Sequence, residues 1–395
     1  MVLKEKNIIL GVTGAISAYK ALFLTRLLVK AEARVWPVMT KSAAEFVTPL
    51  SFSTLAKKEV YRDLFQLSEG TKIGHIEIAE KADLIIIAPA TANIIGKIAS
   101  GIADDLLTTI VMAAKAPVLI APSMNCNMWE NKIVAGNVEK LKKLGYTFAG
   151  PDAGGLACGY EGKGRLVAAE DIIEAALDIL SPKDLTGEKV LVSAGPTREA
   201  IDPVRFVSNA SSGRMGYAIA MAARRRGAEV VLISGPSHLP PPHGVTFVRA
   251  VSAEEMYDLC VTHYPQSTVV IMAAAIADYR PATRYDTKVK KDADRLNVEL
   301  ERTADVLKHM GKKKKKDQTL VGFALETEDL EKNAKKKLKD KNLDLVIANG
   351  AAGLDSKVNE VMMINREGDV ELLPLLPKDE VADRILDTVI KLKGS

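Results

Sequence analysis

The strongest constraint on the fold is a regular alternation of short apolar runs with helix-like patterns along the whole 395-residue chain. Such an alternation is typical of parallel sheets that are covered by helices on both faces. In the first half the predicted strands are NIILGV, ARVWPVMT, ADLIIIAPA, APVLIAPS and YTFAG. The predicted helices between them lie around residues 16–31, 43–55, 92–100, 103–114 and 129–144. The sequence therefore predicts an α/β fold.

The alternation is interrupted at LSPKDLTGEKV (180–190), where a proline and polar turn residues separate two series of strands. The second series is predicted to be KVLVSAG, EVVLISG, TFVRAV, VVIMAAAIAD, LVGFALET and LDLVIANG. A late hairpin, EVMMINREGDVELLP, has alternating flanks around a Glu-Gly turn and predicts an antiparallel edge. We therefore predict two doubly wound domains, residues 1–183 and 184–395, which bind their ligands at the carboxyl ends of the strands.

Cysteine usage and hydropathy exclude several protein classes. The three cysteines, Cys126, Cys158 and Cys260, cannot form a disulfide framework and have no zinc-site spacing. No apolar run approaches the roughly 18 residues that a transmembrane helix needs. The start, MVLKEKNIILGVTG, enters a strand without the apolar segment of a signal peptide. We therefore expect a cytoplasmic protein without a membrane partner.

The charge is nearly balanced, with 54 Lys and Arg residues against 50 Asp and Glu residues and a net charge of +4. Lysines cluster at 312–316 and 335–341. A nucleic-acid groove would interleave aromatic residues with these lysines, and neither run contains one. The run 312–316 is therefore interpreted as a solvated loop, and no nucleic-acid partner is expected.

The loop after the first strand, in GVTGAISAYK, is suited to binding a phosphate. Gly11 and Gly14 would let the backbone approach the ligand, Thr13 and Ser17 would add hydroxyl donors, and the following helix N-terminus favours an anion. The spacing differs from the G-x-G-x-x-G pattern of dinucleotide sites. A tight strand-to-helix turn without a ligand is the alternative interpretation.

A second loop of this kind follows the strand ADLIIIA. It carries Thr91 and Asn93, and Lys97 lies one turn into the next helix. Two phosphate-suited loops in one flavodoxin-sized domain predict a mononucleotide such as FMN. The composition gives no direct evidence that the isoalloxazine ring of a flavin is bound.

Three further residues of the first half are candidates for chemistry. His75 precedes a predicted helix, Asn125 follows a buried strand, and Cys158 lies in the glycine-rich segment GGLACGYEGKGR. Ordering such a segment is costly because glycine loses much backbone freedom. The alternative interpretations are a surface or capping histidine, a helix N-cap asparagine and a small loop residue.

Together these segments resemble the homo-oligomeric flavin-containing cysteine decarboxylases. The resemblance rests on His75 before ADLIIIAPATAN, on PSMNCNMW (122–129) and on ACGYEGKGR (157–165). Ser123 replaces an alanine of the commonest bacterial form, and Tyr160-Glu161 fills the variable part of the last segment. The resemblance implies a flavodoxin-like domain that decarboxylates phosphopantothenoylcysteine. The implied FMN contacts are Gly11, Thr13, Gly14, Ser17, Thr40, Thr91, Asn93 and Lys97.

The same resemblance assigns the chemical roles. FMN would oxidise the cysteine moiety of the substrate, which then loses CO2 readily. Cys158 would return a proton from a mobile flap, since a thiol of ordinary pKa (about 8.5) is mostly protonated at neutral pH. His75 would assist oxidation and decarboxylation, and Asn125 would hold the substrate carboxylate. Closure of the flap would exclude water from a reactive intermediate.

The second half begins with an unusually long strand-to-helix connection in VLVSAGPTREAIDPVRFVSNASSGRMG. Its spacing differs from the P-loop, so it predicts a nucleotide or phosphate site of another kind. The strand VVIMAAAIADYRP ends in small residues and Asp278, which allows a ligand to approach closely. TKVKK (287–291) then supplies Lys288, Lys290 and Lys291.

These segments, with VGFALET and KNLDLVIAN, resemble phosphopantothenate–cysteine ligases over the whole second half. The resemblance implies that CTP and Mg2+, or Mn2+ in its place, activate 4'-phosphopantothenate as an acyl-cytidylate that cysteine then attacks. Asn209 would hold this intermediate, and Lys288 would serve the later step or the triphosphate. TADVL (303–307) lacks a proline that many relatives have. The implied CTP contacts are Ala274, Asp278, Lys288, Ala304, Asp305, Val306, Leu307, Phe323, Lys337 and Lys341.

The sequence therefore predicts a bifunctional enzyme that ligates cysteine to 4'-phosphopantothenate and decarboxylates the product to 4'-phosphopantetheine. Its partners would be these small molecules and CTP, and the family implies a homododecamer of trimers and dimers. The metal ligands are not identified by the sequence. A regulatory flavoprotein subunit, a flavin prenyltransferase and a dehydrogenase are the alternatives, and none of them needs both Cys158 and the ligase segments.

Overall fold

The chain divides into two compact units, Met1–Ser181 and Pro182–Ser395. The computed structural model describes residues 2–64, 74–155, 161–290, 296–325, 328–350, 356 and 358–394, with only the main chain of residues 74 and 75. Within these ranges, no helix is long and apolar enough to cross a membrane.

The first unit is built on a five-stranded parallel sheet. Its strands are β1 (Asn7–Val12), β2 (Arg34–Met39), β3 (Leu84–Ala90), β4 (Val118–Pro122) and β5 (Thr147–Phe148). Their spatial order is β2-β1-β3-β4-β5, and every adjacent pair is parallel. This is the flavodoxin-like order, so the predicted fold of this half is confirmed.

Helices lie on both faces of this sheet. They are α1 (Ala18–Lys30), α2 (Lys41–Ala44), α3 (Pro49–Ala56), α4 (Gly74–Lys81), α5 (Ala92–Ala99), α6 (Leu106–Ala113), α7 (Cys126–Trp129), α8 (Lys132–Lys143) and α9 (Ala169–Leu180). A hairpin of β6 (Asp152–Gly155) and β7 (Glu161–Arg165) precedes α9. The single helix predicted at 43–55 is wrong, because Thr48 and Pro49 occupy the N-cap and first position of a separate helix.

Strand alternation explains why both faces are covered. Ile8 and Leu10 of β1 point into a core shared with α1, α3 and α9, and Ile9 points into a second core shared with α5, α6 and α8. All three side chains are fully buried. A strand buried on both faces is a continuous apolar run, which is why NIILGV identifies it in the sequence.

The second unit is built on an eight-stranded sheet. Its strands are β8 (Lys189–Ala194), β11 (Glu229–Ser234), β12 (Thr246–Arg249), β13 (Val269–Met272), β16 (Thr319–Leu325), β17 (Leu345–Asn349), β18 (Val358–Asn365) and β19 (Val370–Pro377). The order is β12-β11-β8-β13-β16-β17-β18-β19, with antiparallel pairing only from β17 onwards. The first six strands have the Rossmann order, and the predicted antiparallel hairpin is confirmed.

Two short antiparallel pairs lie outside this sheet: β9 (Arg198–Ala200) with β10 (Phe206–Ser208), and β14 (Tyr279–Pro281) with β15 (Leu300–Arg302). The helices are α10 (Arg214–Arg225), α11 (Ala253–His263), α12 (Val306–Lys313), α13 (Leu330–Asp340) and α14 (Lys378–Gly394), with a 3-10 turn at Tyr264–Gln266. Residues of α10 and α14 form the core on one face of the sheet, and residues of α11, α12 and α13 form the core on the other.

Two local predictions are wrong in this unit. The strand predicted to continue to Asp278 ends at Met272, and the following residues turn over the end of the sheet. The lysine run 312–316 is not simply a solvated loop, because Lys312 and Lys313 end α12. The Lys314 ammonium lies 2.9 Å from the largely buried Asp344 carboxylate.

Candidate functional site

In the first unit, three helices begin at the carboxyl edge of the sheet: α1 after β1, α2 after β2 and α5 after β3. The chain leaves β1 towards β2 on one side and β3 on the other, so the topological switch point lies between β1 and β3. Ligands of open α/β sheets bind at such a point. The first N–H groups of a helix lack helical acceptors, so this edge favours an anion.

Two predicted hydroxyl contacts cap helices at this edge. The Thr40 hydroxyl accepts the N–H of Ala43 at 3.3 Å, and the Thr91 hydroxyl accepts the N–H of Ile94 at 3.3 Å. A hydroxyl that accepts one hydrogen bond keeps its own hydrogen to donate. Both caps can therefore donate to a phosphate at the strand ends.

The other two hydroxyls are engaged within the protein. The buried Thr13 hydroxyl donates to the carbonyl of Pro89 at 2.7 Å and accepts the N–H of Thr91 at 3.2 Å. Thr13 thus connects the loops after β1 and β3. The Ser17 hydroxyl donates to the Ser123 hydroxyl at 2.7 Å. The serine that replaces the family's alanine is therefore the hydrogen-bond partner of a predicted cofactor contact.

The two glycines of the first loop have different surroundings. A Cβ on Gly14 would lie 2.4 Å from the Ser42 Cβ, so only glycine fits this turn. Gly11 lies within β1, and its Cβ would lie 2.6 Å from a methyl carbon of Leu107 on α6. Gly14 shapes the loop around the α1 N-terminus, whereas Gly11 allows α6 to pack closely on the sheet.

The two predicted contacts on α5 also differ. Asn93 is exposed in the first turn of the helix. The Lys97 ammonium lies 2.7 Å from the nearer Asp104 oxygen and 3.4 Å from the Asp105 carboxylate. The hydrogen bond to Asp104 raises the pKa of Lys97. Lys97 is therefore a paired cation in this structure, and a phosphate would have to share it.

The hairpin of β6 and β7 is docked on the loop that carries Asn125. The N–H of Met124 donates to the carbonyl of Gly164 at 2.9 Å, and a Cβ on Gly164 would lie 2.3 Å from the Met124 oxygen. The Asn125 side chain accepts the N–H of Asn127 at 2.8 Å and caps α7. Cys158, between the two strands, lies outside the described residues.

His75 lies in the first turn of α4, which begins at Gly74, so the prediction that it precedes this helix is wrong. Its side chain lies outside the described residues. The described cradle of Gly14, Thr40 and Thr91 at three helix N-termini fits the phosphate of a mononucleotide such as FMN.

In the second unit, a cavity of about 450 Å³ opens at the carboxyl edge of the sheet, where the strand order reverses between β8 and β13. Ten residues predicted from separate segments line this one cavity: Asn209, Ala274, Asp278, Ala304, Asp305, Val306, Leu307, Phe323, Lys337 and Lys341. Lys288 is not among the lining residues. It is exposed on segment 282–290.

Asn209 is held at the end of β13. Its amide donates to the carbonyl of Ala275 at 3.1 Å, and the N–H of Thr197 donates to the same oxygen at 3.3 Å. The Ser208 hydroxyl donates to the carbonyl of Thr197 at 2.7 Å. These bonds fix the end of β10, and Asn209 lines the cavity.

A carboxylate and two lysines form one end of the cavity. Asp305 accepts the N–H of Lys308 at 2.9 Å and caps α12, and the Lys341 ammonium lies 3.0 Å from its other oxygen. Burial alone would raise the pKa of Asp305, but the Lys308 N–H and Lys341 outweigh it and lower this pKa. Lys337 donates to the carbonyl of Phe323 at 2.6 Å. Helix α12 thus begins within TADVL with Asp305 as its N-cap, although this segment lacks the proline that many relatives have.

The cavity is also lined by residues that were not predicted as site residues, and Arg214, Asn349, Asn359 and Lys378 are among them. Arg214 and Asn349 lie inside segments that the sequence already marks. Lys378 has one feature that is visible in the sequence: it is a cation at the first position of the apolar stripe of α14. The described residues contain no group of three or more His, Cys, Asp or Glu that could hold a metal ion.

Residues 2–181 match the family described as Flavoprotein, and residues 185–392 match the DNA/pantothenate metabolism flavoprotein C-terminal domain. The Coenzyme A biosynthesis bifunctional protein CoaBC of Bacillus subtilis (strain 168) is 48% identical over 99% of this chain and 98% of that protein. The protein of that name from Escherichia coli (strain K12) is 40% identical over 99% and 98%. A solved C-terminal domain of CoaBC is 46% identical and covers 53% of this chain and 97% of its own, with a TM-score of 0.47.

Proposed function

The chain belongs to the family of bifunctional coenzyme A biosynthesis proteins, and we propose that its two activities divide between its two units. Phosphopantothenate–cysteine ligase and phosphopantothenoylcysteine decarboxylase are the activities of this family. We assign the ligase to residues 184–395 and the decarboxylase to residues 1–183. The observation that carries the proposal is the single cavity into which ten separately predicted ligase residues converge.

In the ligase, CTP and 4'-phosphopantothenate are both anionic, so cations must offset their repulsion. Lys337 and Lys341 line the cavity and are suited to the triphosphate. Asp278 and the small side chain of Ala274 line the end of β13, where a nucleoside could approach closely. Asn209, anchored through Ala275, would hold the acyl-cytidylate.

We assign Mg2+, or Mn2+ in its place, to the triphosphate. Magnesium is commonly held by one or two carboxylates together with substrate phosphates rather than by a complete protein cage. Among the residues that the structure describes, Asp278 and Asp305 are the two carboxylates that line the cavity. Lys288 lies on the exposed segment 282–290, and we assign it to the triphosphate or to the later step.

In the decarboxylase, FMN supplies, when bound, the two-electron oxidation that makes loss of CO2 from the substrate easy. The helix N-termini after β1, β2 and β3 would bind its phosphate with the Thr40 and Thr91 hydroxyls. Gly11, Thr13, Ser17, Asn93 and Lys97 complete the proposed contacts. Asn125 would hold the substrate carboxylate.

Two decarboxylase assignments rest on the sequence motifs alone. His75 would assist the oxidation, and Cys158 would protonate the product. The hairpin of β6 and β7 flanks the Cys158 segment, and its docking beside Asn125 supports a flap at this place.

A mass-spectrometric product assay tests the proposal. The protein would receive 4'-phosphopantothenate, cysteine, CTP and Mg2+, beside Cys158→Ala and Asn209→Ala variants. We expect 4'-phosphopantetheine from the wild type. The Cys158→Ala variant should stop at 4'-phosphopantothenoylcysteine or an oxidised derivative, and the Asn209→Ala variant should form little ligation product. Failure of the wild type to form either compound would reject both assignments.

We further propose a cytoplasmic homododecamer. In the first unit, Ile16, Tyr19 and Phe23 are at least half exposed at helical spacing, which supports contact with other copies. In the second unit, Val204 and Phe206 are similarly exposed beside β10. Light scattering of the eluted protein should give the mass of twelve chains, and a mass of one or two chains would contradict the assembly.

A further inference from the structure

We propose that Gly311 and Asn342 are positioning residues for Lys341, the cation assigned above to the triphosphate of CTP. Gly311 lies in α12, and Asn342 lies in the turn that leads from α13 to β17. Neither is among the described residues that line the ligase cavity, so an effect of either on CTP must pass through a neighbour. The inference rests on the proposed ligase function and deepens it.

Lys341 meets α12 at two places. Its ammonium lies 3.0 Å from a carboxylate oxygen of Asp305, the N-cap of that helix. Its carbonyl oxygen faces Gly311, since a Cβ built on Gly311 would lie 1.9 Å from it. Asp305 and Gly311 are six residues apart, which is about 9 Å along an α-helix. The side chain of Lys341 therefore runs back along α12, from Gly311 towards the helix end that lies at the cavity.

The approach of Lys341 to α12 requires glycine at position 311. A Cβ there would also lie 2.8 Å from the carbonyl carbon of Lys341. Both crowded atoms belong to the main chain, so they cannot turn away as the end of a flexible side chain could. Glycine inside a helix is destabilising relative to alanine. The close approach explains a residue that α12 by itself would disfavour.

Asn342 fixes the same contact from the other side. It has a φ of 51°, in the left-handed region that asparagine adopts more readily than most residues. Its side-chain amide donates to the carbonyl of Gly311 at 2.8 Å. The turn thus presents the Lys341 carbonyl to Gly311 and holds the Gly311 carbonyl in return, so that α12 and the turn have one fixed spacing.

This turn is in turn fixed to the sheet. The carboxylate of Asp344, a residue that is 5% exposed, accepts the N–H of Leu320 at 2.8 Å. The N–H of Asp344 donates to the carbonyl of Leu320 at 2.9 Å. Lys314, the residue after α12, lies 2.9 Å from the same carboxylate. The lysine run 312–316 therefore supplies one of the contacts that place α12 against a rigid part of the unit.

The two cations assigned to the triphosphate depend on this spacing to different degrees. A shift of α12 away from the turn changes the distance between the Lys341 ammonium and Asp305. Lys337 instead donates to the carbonyl of Phe323 on β16 at 2.6 Å, a contact that does not involve α12. Disturbing the Gly311 contact should therefore weaken CTP binding through Lys341 and leave the contact of Lys337 in place.

The test is steady-state pyrophosphate release by the wild type, Gly311→Ala and Asn342→Gly, with 4'-phosphopantothenate and cysteine in excess. Overpacking at Gly311 should raise the KM for CTP about tenfold and change kcat less. Asn342→Gly keeps the left-handed backbone and loses the amide donor, and should raise this KM about threefold. The KM for 4'-phosphopantothenate should stay unchanged. Gly394→Ala is the matched control, since its Cβ would meet no atom of the described residues within 4 Å.

A double-mutant cycle separates positioning from a general loss of stability. In a Lys341→Met background, Gly311→Ala should not raise the KM for CTP further, because the group that it positions is gone. A loss of stability would act equally in both backgrounds, and circular dichroism measures it in each variant. Effects that multiply in the double variant would overturn the proposal, as would an unchanged KM for CTP in Gly311→Ala and Asn342→Gly.

Calorimetric binding of CTP without the other substrates allows the same cycle to be measured as Kd, without turnover. A wild type that binds CTP but releases no pyrophosphate would reject the ligase function, and the cycle in Kd would still decide the positioning. A wild type that turns over beside variants of equal KM and Kd for CTP would reject the positioning alone. Asn342→Gly adds no atom to the contact, so the test does not depend on the folding of Gly311→Ala.

Discussion

The carboxylate of Asp202 accepts the N–H of Val289 at 3.2 Å, and the Arg205 guanidinium donates to the carbonyl of Val289 at 3.0 Å. Asp202 is buried and also accepts the N–H groups of Val204 and Arg205, both at 2.8 Å. Both main-chain groups of the residue after Lys288 are thus fixed to the turn between β9 and β10. The segment that carries Lys288 is anchored at this point.

An Asp202→Asn substitution is expected to release this anchor. Both oxygens of Asp202 accept hydrogen bonds, so an amide must turn its NH2 group towards N–H donors. We expect the ligase kcat to fall about tenfold or more, because a charged hydrogen-bond network is broken. Decarboxylation of added 4'-phosphopantothenoylcysteine by the same preparation should be unchanged. That second activity controls for the amount of protein and for the folding of the first unit.

Asp286→Asn is the control, since Asp286 is exposed on the same segment and should tolerate the change. Full ligase activity in Asp202→Asn, or equal losses in the two variants, would show that the anchor does not position Lys288.

The Asp202 carboxylate is expected to make the stability of the protein depend on pH. Hydrogen bonds from Arg205 hold the pKa of Asp202 well below its ordinary value of 3.8. A carboxylate whose pKa is lowered by folding contributes stability above its unfolded pKa, and this stability is lost as the pH falls further. We expect the unfolding temperature of the wild type to fall steeply below about pH 4. Circular dichroism should show a shallower fall in Asp202→Asn, and parallel curves would contradict the assignment.

The docking of the β6–β7 hairpin predicts a separate effect on the decarboxylase. In Gly164→Ala the new Cβ would lie 2.3 Å from the Met124 carbonyl oxygen, so the hairpin must shift. Such overpacking costs about 1–3 kcal/mol and would displace the segment that carries Cys158. We expect decarboxylation to fall at least tenfold and ligation to be unaffected. Gly155→Ala, where a Cβ would meet no atom of the described residues within 4 Å, should retain activity, and equal activities of the two variants would refute the argument.

The sequence is most informative about the strands and the loops at their carboxyl ends. NIILGV and ADLIIIAPA are apolar except for Asn7 and Asp83 because the strands are buried on both faces, and β1 and β3 follow these runs closely. The pairs β9–β10 and β14–β15 are three residues per strand and contain Arg and Glu, so they have no readable periodicity. Their formation depends on contacts between distant segments.

The residues of the candidate site likewise divide into those that the sequence predicts and those whose position depends on distant contacts. Asn209, Asp278 and Lys341 could be predicted because each lies in a recognisable segment, and the cavity brings them together. Asn359 could not be predicted, because its place at the cavity depends on how β18, β19 and α14 complete the sheet. Lys378 had only one sequence signal, a cation at the first position of an apolar stripe. Cys158 and the His75 side chain lie outside the described residues, so their roles stay predictions.

The last prediction concerns the stability of the ligase unit. The Arg226 guanidinium is 6% exposed and donates two hydrogen bonds to Asp184, at 2.8 and 2.7 Å, and one to Asp387 at 2.7 Å. It thereby connects the start of this unit to α10 and α14, and its hydrogen bonds lower the pKa of Asp184. Arg226→Met should reduce the free energy of unfolding by about 2–3 kcal/mol, since it leaves two carboxylates without their partner.

Urea unfolding of the full chain, followed by loss of ligase activity and by circular dichroism, measures this change. Lys189→Met is the control, because the Lys189 ammonium lies 4.0 Å from Glu229 and both side chains are at least half exposed. Exposed pairs of this kind contribute about 0–1 kcal/mol, so its midpoint should hardly move. If the two variants unfold at the same urea concentration, the buried guanidinium does not stabilise the junction of Asp184, α10 and α14.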